Sequence, residues 1–132
     1  MPAESSYEYA VIRVVPRVES GEFVNVGVIL ICRQRRFLQA RVELGARQRV
    51  ILETLDPELD VSELATQLDS IVSICRGDSD SGPIGKLSQA ERFHWLTAPA
   101  STIIQTSPIH SGLTDKPAAT LEHLAQVLVH HR

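Results

Sequence analysis

At 132 residues, with 43% hydrophobic and 22% charged side chains, the chain has the size and make-up of one globular domain that can bury a core without disulfides or metals. No apolar run approaches the roughly 18 residues of a membrane span, and a net charge of −3 argues against bulk affinity for nucleic acid. The opening MPAESSYEYA lacks the basic start and apolar stretch of a signal peptide, and Cys32 and Cys75 stand alone and far apart, so a cytoplasmic protein with reduced thiols is expected.

Residues 7–15 (YEYAVIRVV) are rich in aromatic and β-branched side chains and read as a strand. Pro16 and Gly21 bracket a turn. Residues 23–31 (FVNVGVILI) are apolar at nearly every position, as in a central strand covered on both faces. An arginine-rich turn leads to residues 37–44 (FLQARVEL), which alternate and complete a three-stranded antiparallel meander. A short helix is predicted over 46–54. Asp60 with Glu63 then resembles a capping box opening a helix whose apolar face is Val61, Leu64, Ala65, Leu68, Ile71, Val72 and Cys75, ended at Gly77. After a Gly/Ser/Asp loop, residues 88–96 form a further helix. Residues 102–107 make a fourth strand that Pro108 confines to an edge or ends. Asp115 and Pro117 announce a last helix with Leu121, Leu124, Ala125 and Leu128 on one face. The expected fold is α+β: a small antiparallel sheet, the meander plus a fourth strand, with helices packed mainly on one face. One domain over 1–132 is expected, with its ordered core at about 7–129.

Turns centred near Glu19 and Gln34 set a register with testable consequences. Arg13 falls opposite Asn25, Val11 opposite Gly27, Gly27 opposite Arg41 and Asn25 opposite Glu43. Ile12, Val14, Val24, Val26, Val28, Ala40 and Val42 then share a core face, while Arg13, Asn25, Gly27, Arg41 and Glu43 share the other. Glycine inside a strand marks close approach of a backbone or ligand, and arginines supply planar donors for carboxylate or phosphate. Arg13, Asn25, Gly27 and Arg41 are therefore candidate binding residues around a depression at Gly27. A solvated face with an Arg–Glu cross-strand pair is the plainer alternative.

The second candidate region is RFHWLTAPASTIIQTSPIHSGLT, residues 92–114. It holds the only tryptophan, Trp95, two of the five histidines, and an unusual density of hydroxyls and amides, Ser101 among them. Arg92, His94, Gln105, Ser107 and His110 are its candidate binding residues. Trp95 is expected to anchor the core beside Phe93 and Leu96, with His94 satisfying a local hydrogen bond. No metal and no cofactor is expected, because His94 and His110 lack a third ligand. GDSDSGP at 77–83 superficially resembles the nucleophile segment of trypsin-like proteases, but no histidine precedes His94 in this chain. A GxSxG elbow, a Walker loop and a GxGxxG fingerprint are missing. Arg33, Arg35, Arg36, Arg41, Arg47 and Arg49 form a basic stretch without interleaved aromatics, so nucleic acid is not the expected partner. His130 and His131 are too few for a purification tag.

Taken together, YEYAVIRVVPRVESGEFVNVGVIL, LDPELD and RFHWLTAPASTIIQTSPIHSGLT resemble the bacterial family called domain of unknown function 3037, over residues 7 to about 129. The EFVNVGVIL and RFHWLTAP segments are the most specific. The resemblance carries over no activity, substrate or catalytic residue. What it implies is a partner: a serine/threonine kinase, similar to persistence-toxin kinases, encoded nearby. The expectation is a non-catalytic interaction or regulatory module acting with a protein partner and without a membrane. The alternative is a small enzyme or anionic-ligand-binding domain using the Arg13/Asn25/Arg41 face or the His94–His110 segment. Convergence of Arg13, Arg41, His94, Ser107 and His110 in one pocket favours the alternative. Scatter with exposed apolar surface favours the module.

Overall fold

A computed structural model describes residues 3–100 and 102–130; Ser101 and His131 lie outside them. The order is β1 (Ser5–Val14), β2 (Val24–Cys32), β3 (Phe37–Val42), α1 (Ala46–Leu55), α2 (Val61–Arg76), α3 (Gln89–Leu96), β4 (Ile104–Thr106), β5 (His110–Thr114) and α4 (Pro117–Ala125), which runs into a π-helical turn, Gln126–His130. The fold is α+β. The five strands form an open antiparallel sheet in the order β3-β2-β1-β4, with β5 also paired to β1.

The run of apolar residues in β2 decides the layering. Ile29 and Ile31 face one side with Ile12, Val14, Val26 and Leu38, and meet Leu52 of α1, Leu64, Leu68 and Cys75 of α2 and Phe93 of α3. Val28, Leu30 and Cys32 face the other side and meet Leu121 of α4 and Val129 of the π turn, with Tyr7, Tyr9 and Phe37 around them. Three helices thus cover one face and α4 covers part of the second. Full burial of such side chains contributes about 1.5–3 kcal/mol each, which makes β2 the spine of the fold.

The register matches the expectation at Arg13–Asn25 and departs from it by one residue beyond. Ile12, not Val11, lies opposite Gly27, and Val11 lies opposite Val28. Gly27 pairs with Val42, and Arg41 with Val28. The β1–β2 departure comes from a bulge in β2, where the pairing shifts between Ile12 and Arg13; the β2–β3 offset runs unbroken from Cys32–Phe37 to Gly27–Val42 and is set by the turn between those strands. Alternation breaks there, so Val26 and Val28 point into different cores. Gly27 sits in the bulge under the first core. A Cβ on it would lie 2.8 Å from the Arg41 carbonyl oxygen and 3.0 Å from both Ile12 Cδ1 and Val42 Cγ1. The expected depression at Gly27 is therefore filled by packed backbone and side chains.

The edge beside β1 holds a strand that the sequence reading missed. β4 pairs Ile12 with Thr106, and β5 pairs Tyr9 with His110, so the pairing slips by one residue between them. Pro108 has no N–H for the ladder. Ser107 spans the break: its N–H donates to the Val11 carbonyl at 2.8 Å, and its Oγ accepts the Val11 N–H at 2.8 Å in place of a strand carbonyl. HSGLT has weak strand propensity; pairing with β1 makes it β5. The Tyr7 ring lies over Gly112, where a Cβ would come within 2.7 Å of the Tyr7 hydroxyl.

Candidate functional site

Arg13, Asn25 and Gln105 form one cross-strand row, because Arg13 pairs with Asn25 on one side and with Gln105 on the other. The Arg13 guanidinium stacks 4.1 Å over the Phe23 ring. Asn25 Nδ2 donates to the Leu128 carbonyl at 3.1 Å, which fixes the π turn onto this face. Gln48, buried in α1, donates from Nε2 to the Val129 carbonyl at 3.3 Å and accepts the Gly45 N–H at 3.2 Å. Two side-chain amides thus satisfy carbonyls at the helix end that lack intrahelical partners. Two enclosed polar atoms of the row, Arg13 Nε and Asn25 Oδ1, have no hydrogen-bond partner among the described residues. Asn25 also lines a cavity of about 250 Å³ whose walls include Phe23, Arg47, Gln48, Ile51 and Val129.

Arg41 shares this face but not the row. It lies opposite Val28, three positions along β2 from Asn25 and on the next strand, or about 10 Å away along the strand direction. Its Nε donates to Glu122 of α4 at 2.8 Å. Glu43 meets a histidine instead: its Oε2 lies 2.9 Å from His130 Nδ1. The expected open cluster of two arginines is instead crossed by α4, which anchors Arg41.

The residues of the 92–114 region separate. Arg92 is buried and staples the end of α2, with Nη1 donating to the carbonyls of Ile74 at 2.7 Å and Cys75 at 2.8 Å, and Nε donating to Leu87 at 3.0 Å. A cation suits these carbonyls at a helix C-terminus. Burial pushes the neighbouring Cys75 thiol up to about 12, against the smaller opposing pull of Arg92. Ser107 is buried in the β1 ladder. His110 is exposed on the second face, its ring 5.1 Å from that of Tyr9. His94 is exposed on α3.

Trp95 overturns the expected anchor. It is 53% exposed, whereas Phe93 is 1% exposed. On this eight-residue helix the inward stripe is Gln89, Arg92, Phe93 and Leu96, at helical spacing. Trp95 and His94 fall outside it. Ser88 and Glu91 make a reciprocal capping box at the start of α3, and the Ser88 backbone N–H, then its hydroxyl, hold the Glu91 carboxyl below its usual range.

Residues 9–129 match the model of the family described as protein of unknown function (DUF3037). The chain belongs to that family. No curated protein and no solved structure matches the chain.

Among the described residues no three His, Cys, Asp or Glu side chains gather as a metal site would require, and no helix is long and apolar enough to cross a membrane. In the arginine-rich stretch, Arg33 pairs with Glu8 at 2.6 Å, Arg35 donates to Ser5 Oγ and the Ala3 carbonyl, and Arg49 donates to the Leu44 carbonyl. Phe23 and Gln48 were not singled out from the sequence, and Arg47 was named only as part of the basic stretch. Gly45 followed three residues later by Gln48 carried a helix-start signal for the last of these. The placing of Phe23 under Arg13 follows from a hairpin geometry that no local pattern encodes.

Proposed function

We propose that the chain is a non-catalytic interaction module that works by binding a protein partner, and that Trp95 is central to the contact. The observation that carries this reading is the exposure of the only tryptophan, on a helix whose packing Phe93 already completes. Tryptophan is enriched among the residues that dominate binding energy at protein interfaces. The scatter of His94, Ser107 and His110 supports the same reading, since nucleophile–base chemistry needs them within hydrogen-bond reach. A serine/threonine kinase is the partner that the family resemblance suggests. The test pairs stability with capture. Trp95→Ala is expected to unfold near the wild-type midpoint yet lose the partner that wild type recovers. A variant that keeps the partner removes Trp95 from the contact.

A second reading has its own support in the enclosed, unpartnered donor Arg13 Nε, cross-strand from Asn25, which lines the 250 Å³ cavity. A guanidinium N–H suits a small carboxylate or phosphate ligand, whereas Asn25 Oδ1 is an acceptor and calls for a donor, such as the hydroxyl of a protonated phosphate. Titration with acetate and inorganic phosphate, followed by backbone amide shifts at Phe23 and Ile51, tests it. Shifts that saturate in wild type and vanish in Arg13→Ala support an anion site; unsaturating shifts in both remove it.

A further inference from the structure

β5 is an edge strand of the sheet. Among the described residues it pairs with β1 alone. Leu113 is 63% exposed there, the most exposed large apolar side chain among the described residues. Natural edge strands are usually blunted by charge, proline or a bulge. Here Pro108 and the slip at Ser107 guard one end only, and His110–Thr114 carries no Asp, Glu, Lys or Arg.

The direction of the free backbone groups follows from the ladder. Both the N–H and the carbonyl of Val11 point to the β4–β5 side, where they meet Ser107. The Val15 N–H, bonded to the Ile103 carbonyl, points the same way. Backbone groups alternate sides along a strand, so those of Ser5, Tyr7 and Tyr9 also face β5. Their partners are Thr114, Gly112 and His110. The N–H and carbonyl groups of Ser111 and Leu113 therefore point outward from the sheet.

We propose that this edge joins two copies of the chain, β5 pairing antiparallel with β5 of a second copy about a two-fold axis at Gly112. In that register Ser111 of each copy faces Leu113 of the other, and the four outward donors and acceptors of the two residues satisfy one another. Gly112 meets Gly112 in the close, non-hydrogen-bonded position, where Cα atoms approach to about 4.5 Å. Absent side chains leave room there for the two Tyr7 rings, each already lying over its own Gly112. His110 faces Thr114, so no like charges are opposed. The two Leu113 side chains become diagonal neighbours on one face, about 7–8 Å apart and within mutual reach. A second copy suits this edge because the same two residues supply both halves of the contact, as a two-fold interface demands. The contact involves neither Trp95 nor the partner reading above.

Sedimentation velocity and amide exchange on the full chain test it. Wild type at tens of micromolar is expected near twice the 14.6 kDa chain mass. Leu113→Lys, and Leu113→Pro, which takes away the exposed side chain and an outward N–H but no β1–β5 hydrogen bond, are expected at the single-chain mass with unchanged circular dichroism. In wild type, amides of Ser111 and Leu113 should gain protection as concentration rises, while those of Gly112 and Thr114 are protected throughout. The exchange measurement needs no variant to fold. A monomeric wild type with fast exchange at Ser111 and Leu113 overturns the proposal, and so does a dimer that survives both substitutions. Protection that appears only on adding another protein assigns the edge to that protein instead.

Discussion

Arg92→Ala tests whether a residue that reads as a binding candidate is a structural staple. The substitution deletes three hydrogen bonds. The Leu87 carbonyl belongs to an exposed residue and can turn to water, so its loss costs little. The Ile74 and Cys75 carbonyls end α2 beside a buried guanidinium; bonds to a charged donor are worth about 1.5–3 kcal/mol each, which gives about 3–6 kcal/mol for the pair. At this chain length that is a fall in Tm of roughly 10–20 °C, out of a total stability of about 5–15 kcal/mol. Arg92→Lys should recover about half, because the ammonium is more strongly hydrated than a guanidinium, costs more to bury, and has no second nitrogen for the Leu87 carbonyl. Urea unfolding followed by circular dichroism reads both values. An alanine variant within about 1 kcal/mol of wild type, with lysine no better, would refute the staple and return Arg92 to the list of ligand-binding residues.

Phe93→Ala should cost about 3–5 kcal/mol, whereas Trp95→Ala should stay within about 1 kcal/mol of wild type; thermal melts of the two variants separate the buried ring from the exposed one. Gly27→Ala should destabilise by about 1–3 kcal/mol, since its Cβ meets the Arg41 backbone rather than an open depression, and an unchanged urea midpoint would contradict that close approach. Cys75 sets a pH dependence. Its thiol is held up to about 12 in the fold, against an ordinary value of 9.0. Its contribution is therefore complete below 9.0 and is lost as pH rises from there toward about 12, because the unfolded chain ionises first. Cys75→Ala should show a shallower fall in urea midpoint over that window, and equal slopes would remove burial of the thiol as the cause.

Periodicity carried most of the fold. The three meander strands, α1, α2 with its Asp60 cap, α3 and α4 all lie within a few residues of where apolar spacing and end signals put them. β5 escaped because Gly112, Ser111 and His110 form a strand only through their pairing with β1. The β2 bulge escaped because one extra residue changes no local pattern yet turns every later side chain over. Composition alone could not tell Trp95 from Phe93; the inward stripe of α3 does. Of the candidate site, only the row Arg13–Asn25–Gln105 came together, while Arg41, Arg92 and Ser107 turned out to be occupied by structural partners.

The partner reading is tested most directly by affinity purification of the chain from its native host, with mass-spectrometric quantification of what accompanies it and Trp95→Ala run in parallel. The account predicts one macromolecular partner at a stoichiometric level with wild type and its loss with the folded variant. Recovery of the chain alone, together with turnover of a metabolite that disappears on changing His94 or His110, would contradict it.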